Sequence, residues 1–93
     1  MSEILVSENI TGEAMTRLRE TQDVVFEPNL WQDVDRLTEQ LQTARAIIVR
    51  NQTKVTCELI AAAPNLQIIG RAGAGLDNID TDAASEAGIV VSY

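Results

Sequence analysis

Three of the chain's seven basic residues lie close together in two short segments. Arg50 and Lys54 follow one apolar run, and Arg71 follows the next. An arginine offers a planar set of donors for a carboxylate or phosphate, and a glycine-rich turn, here with Gly73 and Gly75, adds exposed backbone N–H groups. In a chain with fourteen acidic residues, this clustering indicates an anion-binding site.

A purely structural interpretation of the same residues stays open. Glycines often serve only the geometry of a tight turn, and Arg71 has the acids Asp77 and Asp80 nearby in sequence. Asp77 and Asp80 are themselves more typical of a turn and a helix cap than of acid–base or metal chemistry. The glycine spacing G-x-x-G-x-G differs from the dinucleotide motif G-x-G-x-x-G, so we expect no cofactor phosphate here.

Composition excludes several other functions within these 93 residues. There is no histidine, which excludes a histidine base, a Ser-His-Asp triad and a histidine-rich metal site. The single cysteine, Cys57, excludes an internal disulfide and a cysteine-based zinc site, and a reducing cytoplasm fits it best. The net charge of −7 disfavours nucleic acid, and no apolar run has the roughly 18 residues of a membrane helix.

The elements that must position the basic cluster alternate between strands and helices. Strands are predicted at residues 4–6, 23–26, 46–49, 66–70 and 89–91, and helices at 11–21, 30–43, 56–63 and 82–88. Such alternation predicts a parallel sheet with right-handed crossovers. We therefore expect an α/β fold, a flavodoxin-like doubly wound parallel sheet of about five strands flanked by helices.

Local patterns add detail to these elements. Thr11 or Asn9 is expected to cap the first helix, with Ile10, Ala14 and Leu18 on one face. The second helix is expected to present Leu30, Val34, Leu37 and Leu41 as an apolar stripe. The run AIIV at 46–49 lacks polar alternation, which predicts burial on both faces of the sheet. Thr56 is expected to cap the third helix, with Cys57 as a buried or inert thiol, and Trp31 to be a packing residue.

The apolar runs and the loop resemble a known family when they are taken together. The segments are AIIVR at 46–50, TKVT at 53–56, LQIIGRAGAGLDNID at 66–80 and AGIVV at 87–91. They resemble the N-terminal part of the D-isomer-specific 2-hydroxyacid dehydrogenases, especially the 3-phosphoglycerate dehydrogenase branch, over residues 4–93.

The resemblance implies that residues 1–93 are one domain, the N-terminal part of a substrate-binding domain. The NAD-binding Rossmann domain and the catalytic Arg, Glu and His would follow residue 93. This chain alone would then have no catalytic, cofactor or metal site and no activity, and the parent enzyme would be a cytoplasmic homo-oligomer that acts on a small 2-hydroxy or 2-oxo acid.

The resemblance also assigns substrate contacts residue by residue. The backbone amides of Ala74 and Gly75 match the loop that grips the substrate carboxylate, and Arg50 matches an arginine that contacts substrate. Arg71 lies in the same loop and either neutralises the anion or stabilises the loop. Asn51 stands where relatives often have serine, so the substrate is left open.

Other function classes compete with the dehydrogenase interpretation. The main alternative is a stand-alone flavodoxin-like module that binds a small acid or an effector. A signalling receiver is disfavoured because it needs an acid after the third strand, where this chain has Arg50. A flavin carrier is disfavoured because the chain has only three aromatic residues.

Overall fold

The computed structural model describes residues 4–72 and 78–92, which fold as alternating strands and helices. The strands in these ranges are β1 (Ile4–Val6), β2 (Val24–Phe26), β3 (Ala46–Val49), β4 (Ile68–Arg71) and β5 (Val90–Ser92). The helices are α1 (Glu13–Thr21), α2 (Val34–Leu41), α3 (Cys57–Ala61) and α4 (Thr81–Glu86), with a 3-10 turn at Leu30–Gln32. None of these helices is long and apolar enough to cross a membrane.

The five strands form one parallel sheet in the order β2-β1-β3-β4-β5. The chain moves from β1 to β2 in one direction and then returns past β1 to β3, so the strand order reverses at β1 and β3. Ligands of open parallel sheets bind beyond the carboxyl ends of the strands at such a reversal. The predicted doubly wound, flavodoxin-like fold is therefore confirmed.

One face of the sheet carries the main core, and we call it the covered face. Its strand residues include Leu5, Ile47 and Ile69, which lie side by side in register and are fully buried. They pack in one cluster with residues of α2, α3 and α4, among them Leu37 and Leu59. Burial of this cluster is the main source of stability for so short a chain.

The opposite face, which we call the open face, also presents apolar side chains. One row across all five strands consists of Val24, Ile4, Ala46, Ile68 and Val90. Exposure rises toward the β5 edge, where the exposed fractions are 39% for Ile68 and 61% for Val90.

Only α1, among the described helices, lies on the open face. The right-handed crossover from β1 to β2 runs opposite to the other crossovers and therefore puts α1 on this side. Its Arg19 guanidinium stands 4.7 Å from the centroid of the Phe26 ring. No residue of α1 is buried, so the predicted face with Ala14 and Leu18 does not join a core.

The predicted cap of the first helix is wrong. The helix begins at Glu13 after Gly12, which has φ 128° and makes no side-chain capping bond, so neither Asn9 nor Thr11 caps it. Glycine suits this position because an L side chain rarely adopts that backbone conformation. Ile10 is buried but precedes the helix.

The second predicted helix is interrupted and shorter than expected. Leu30–Gln32 forms a 3-10 turn, and α2 begins only after Asp33, whose Oδ1 accepts a hydrogen bond from the Arg36 N–H at 3.1 Å. The break rotates Val34 out of the stripe, and its exposed fraction is 63%. Leu30, Leu37 and Leu41 are buried as predicted.

The remaining elements differ from the predictions by small shifts. Thr56 caps α3 as predicted, since its hydroxyl oxygen accepts from the Leu59 N–H at 3.2 Å. The strand β4 begins at Ile68 rather than Leu66, and β5 begins at Val90 rather than Ile89. The burial predicted on both faces of AIIV is only partly present, because Ile47 is fully buried whereas Ile48 is half-buried.

Candidate functional site at the carboxyl edge

The loop that follows β3, residues 50–53, is held by a buried carboxylate from the end of β1. The Glu8 side chain accepts hydrogen bonds from the N–H groups of Arg50 at 2.6 Å, Gln52 at 2.9 Å and Thr53 at 3.0 Å. The exposed fraction of Glu8 is 3%. One side chain thus fixes the backbone of the loop that carries Arg50 and Asn51.

The three N–H groups also stabilise the charged form of Glu8. Burial alone would raise the pKa of this carboxyl, but the N–H groups of Arg50, Gln52 and Thr53 outweigh it and hold the pKa below its ordinary value of 4.5. Glu8 is therefore ionised at neutral pH, with its charge directed into the loop.

Asn78 holds the same loop from the other side. Its Nδ2 donates to the carbonyl oxygens of Arg50 and Thr53, both at 2.8 Å. Its Oδ1 accepts from Arg71 Nε at 3.0 Å. Asn78 is buried, so this amide links the ends of β3 and β4 through three hydrogen bonds.

Two of the predicted site residues are joined directly. Arg71 Nη2 donates to Asn51 Oδ1 at 2.9 Å, and Arg71 is the register partner of Val49, the residue before Arg50. The structure therefore brings Arg50, Asn51 and Arg71 together at one edge of the sheet. The predicted residues Ala74 and Gly75 lie outside the described residues.

Within the described residues, Arg50 and Lys54 carry positive charge that no acidic side chain pairs. The ion pairs within residues 4–72 and 78–92 are Arg17–Glu13 and Arg36–Glu27, so neither Arg50 nor Lys54 takes part in one. Both side chains are exposed.

The structural alternative for Arg71 is realised only in part. Its guanidinium binds two amide oxygens, and Asp80 instead caps α4 by accepting from the Ala83 N–H at 3.0 Å. Asp77 lies outside the described residues. Arg71 thus has a clear role in holding the loops, while Arg50 is a basic group that both lines the cleft and reaches solvent.

A short second pairing extends the rigid frame beyond the main sheet. The Val55 N–H donates to the Asn78 carbonyl at 2.8 Å, and the Asp80 N–H donates to the Val55 carbonyl at 2.9 Å. The hydroxyls of Ser7 and Thr53 share a buried hydrogen bond of 2.7 Å. These bonds fix the C-terminal end of the loop that follows β3.

A cleft of about 320 Å³ opens between the loops that follow β1, β2 and β3. Its lining includes Asn9, Trp31, Arg50 and Asn51. Trp31 is half-buried and forms a wall of the cleft, and its backbone N–H donates to the Ser7 carbonyl at 3.2 Å. The cleft lies where the strand order reverses, which is the expected position of a ligand site.

The described residues do not fit a dinucleotide. Glu8 in the turn after β1 and Glu13 at the start of α1 would repel a pyrophosphate, and the turn lacks the G-x-G-x-x-G glycines. The loop N–H groups of residues 50–53 that face Glu8 are already occupied.

Neither a metal site nor a reactive Cys57 thiol is supported by the described residues. The described residues contain no cluster of acidic or cysteine side chains that could hold a metal ion. Cys57 is exposed, and it donates to Glu58 Oε2 at 3.4 Å. The Glu58 carboxylate raises the pKa of this thiol, which opposes thiolate formation.

Sequence reasoning missed Glu8 and Asn78 as parts of this site. Glu8 gave a signal, because an acid directly after a buried strand points to the carboxyl edge. Asn78 gave none, since it lies between two Asp-containing turn positions. Both act on residues at least 25 positions away in sequence.

Comparison with known proteins gives a consistent result. The family model described as "D-isomer specific 2-hydroxyacid dehydrogenase, catalytic domain" matches residues 4–93. The (S)-sulfolactate dehydrogenase of Chromohalobacter salexigens is 44% identical over 91 residues, which cover 98% of this chain and 29% of that protein. The D-3-phosphoglycerate dehydrogenase of Archaeoglobus fulgidus is 46% identical over 88 residues, which cover 95% of this chain and 16% of that protein.

A solved structure agrees with these sequence matches. The NAD+-bound 3-phosphoglycerate dehydrogenase of Entamoeba histolytica superposes with a TM-score of 0.79 and 31% identity, over 98% of this chain and 32% of that one. The chain thus spans less than a third of the length of each of these relatives.

Proposed function

Since the chain belongs to the family of D-isomer-specific 2-hydroxyacid dehydrogenases, we propose that it is the N-terminal substrate-binding segment of an NAD-dependent member of that family. The observation that carries the proposal is the convergence of Arg50, Asn51 and Arg71 at the carboxyl edge, where Arg71 Nη2 and Asn51 Oδ1 are 2.9 Å apart. The segment itself performs no hydride chemistry.

The role of these residues is to bind and orient an anionic substrate. Arg50 is exposed at the cleft and free of ion pairs within the described residues, so its guanidinium can take a substrate carboxylate. Arg71 adds positive charge while it holds Asn51 in place. The amides of Ala74 and Gly75 are proposed to complete the carboxylate grip. Correct orientation lowers the entropic part of the barrier for a reaction carried out elsewhere.

The proposed substrates are small 2-hydroxy acids with a second anionic group. The relatives are named for sulfolactate and 3-phosphoglycerate, and both molecules carry a sulfonate or phosphate besides the carboxylate. A 3-phosphoglycerate dehydrogenase-like activity is our first candidate. Asn51 lies on the wall of the cleft and is the residue most able to discriminate between such acids.

The cofactor and the catalytic groups are proposed to lie outside this segment. NAD would bind a Rossmann domain, and the catalytic Arg, Glu and His would come from that domain. This division is supported by the poor fit of the edge to a dinucleotide and by the NAD+-bound relative. A homo-oligomeric state and a cytoplasmic location stay predictions.

The test is a substrate panel with the complete enzyme that contains this chain. NADH formation is followed with D-3-phosphoglycerate, 3-sulfolactate, D-glycerate and D-lactate. We expect D-3-phosphoglycerate and 3-sulfolactate, the two acids with a second anionic group, to have the highest kcat/KM. Binding of these acids without any turnover would instead support a stand-alone binding module.

Arg50 and Arg45 provide a matched pair of variants, because they flank the two ends of the same strand β3. Loss of a charged hydrogen bond costs about 1.5–3 kcal/mol, so Arg50→Met should raise KM by about 10- to 100-fold. Arg45→Met, at the amino end of the strand, should leave KM unchanged. Equal effects of the two variants would contradict the proposed site.

A further inference from the structure

The loop that follows β3 owes its backbone shape to a side chain that does not belong to it. In the four residues 50–53, three N–H groups are bound by the carboxylate of Glu8. The Asn78 side-chain amide donates hydrogen bonds to two carbonyl groups of the same loop. The loop is therefore fixed from both sides before any ligand binds.

We propose that Glu8 is a positioning residue for substrate binding, whose carboxylate sets the backbone of residues 50–53 so that Arg50 and Asn51 face the cleft. This inference rests on the proposed function, because it assigns Arg50 to the substrate. Glu8 borders the cleft, but it is only 3% exposed and both of its carboxylate oxygens already accept hydrogen bonds from the loop, so its proposed role acts through the loop rather than by contact with substrate.

The position requires a carboxylate rather than any acceptor. Oε2 of Glu8 accepts from Arg50 and Thr53, and Oε1 accepts from Gln52, so both oxygens are used. A glutamine has one acceptor oxygen and an amide group that only donates, so at least one loop N–H would lose its partner. An aspartate keeps the charge but is one methylene group shorter.

The negative charge of Glu8 next to the cleft does not itself favour the binding of an anionic substrate. A carboxylate beneath a site for an anionic substrate lowers affinity through repulsion. The negative charge of Glu8 is instead stabilised by hydrogen bonds from the three loop N–H groups. This favours a role in positioning the loop over a direct contact with substrate. A role in fold stability alone would be consistent with the same contacts, and kinetics separates the two.

The experiment is a double-mutant cycle in the complete enzyme, assayed with the hydroxy acid of highest kcat/KM in the panel. The variants are Glu8→Gln, Arg50→Met and the double variant, with Glu20→Gln on the exposed surface of α1 as the control. We expect Glu8→Gln to raise KM by about tenfold, with kcat within about threefold, because binding of ground and transition states is weakened together. In the Arg50→Met background, the same change should raise KM by less than about threefold, because its effect passes through Arg50.

Each outcome decides the matter. Independent, multiplying effects on KM, or a lower melting temperature with unchanged KM, would overturn the positioning role. Glu8→Asp provides a second variant if Glu8→Gln does not fold: a raised KM supports the inference and a wild-type KM overturns it. A wild-type enzyme that oxidises none of the acids would overturn the proposed function, and this inference with it.

Discussion

The two faces of the sheet are built by the same five strands but differ in what covers them. On the covered face, Ile47 and Ile69 pack against three helices. On the open face, Ile68 and Val90 remain substantially exposed, and α1 has no buried residue. The difference shows that the strand residues at the β5 side of the open face, which none of the described helices covers, are buried less than their neighbours on the covered face.

The largest expected effect lies on the covered face and is measured against the adjacent residue on the other face. Ile47→Ala should lower the free energy of unfolding by about 2–5 kcal/mol, because it leaves a cavity in a fully buried position. Ile48→Ala, one residue further along β3, should cost less than about 2 kcal/mol because Ile48 is only half-buried. Urea unfolding of the 93-residue chain measures both. Equal losses would show that the two faces contribute alike.

At the carboxyl edge of the sheet, a substitution of Glu8 should have an intermediate effect on the free energy of unfolding, and this effect should depend on pH. Glu8→Gln should lower stability at neutral pH by about 1–3 kcal/mol, the range for hydrogen bonds to a charged group with a buried partner left unpaired. Because the pKa of Glu8 is lowered in the folded chain, its contribution is present above its ordinary value of 4.5 and is lost as the pH falls through the folded pKa.

The measurement is stability against pH for the wild type and the variant. The two curves should converge below about pH 4.5 and stay apart above it. A constant difference at all pH values would mean that the charge of Glu8 contributes nothing.

The helix on the open face should respond locally rather than globally. Gly12→Ala places a side chain at φ 128°, a backbone conformation that costs roughly 1–3 kcal/mol for a residue other than glycine. Since α1 buries no residue, the strain should be relieved by fraying of this helix alone. Hydrogen exchange should become faster in α1 and stay unchanged in β3. Faster exchange in both would mean that the open face is coupled to the core.

The smallest effect on stability is expected at the exposed end of the open face. Val90→Lys should change the free energy of unfolding by less than about 0.5 kcal/mol but reduce self-association of the 93-residue chain, because it charges an apolar patch. Val34→Lys is the matched control, since the exposed fractions of the two valines are 61% and 63% and Val34 lies on α2. Light scattering at high concentration compares them. A monomeric wild-type chain would contradict the predicted association.

Elements whose signals are local could be predicted from the sequence. Thr56 caps α3 through a bond to a residue three positions away, and the strand at Ala46–Val49 was predicted with its observed bounds. The interruption at Asp33 was missed because the apolar spacing continues through it, and only packing showed that Val34 points to solvent.

In the candidate site as well, residues with a local signal were predicted and residues that act through distant contacts were missed. Arg50 and Arg71 were predicted because each lies at the end of an apolar run of a parallel sheet, where the carboxyl ends share one edge, whereas Asn51 was assigned only from the family resemblance. Glu8 and Asn78 were missed because their contacts with the loop reach the Arg50 backbone across 42 and 28 positions, and backbone groups carry no signal in the residue types.

The sequence by itself determined the alternation of strands and helices, the parallel sheet and the edge at which the basic residues collect, because these follow from apolar periodicity and chain connectivity. The tertiary structure alone decided which of two adjacent isoleucines, Ile47 or Ile48, faces the core, since an apolar run without alternation does not mark its faces. The tertiary structure also decided that the Glu8 carboxylate accepts hydrogen bonds from three loop N–H groups. Such a contact exists only when distant segments are brought together.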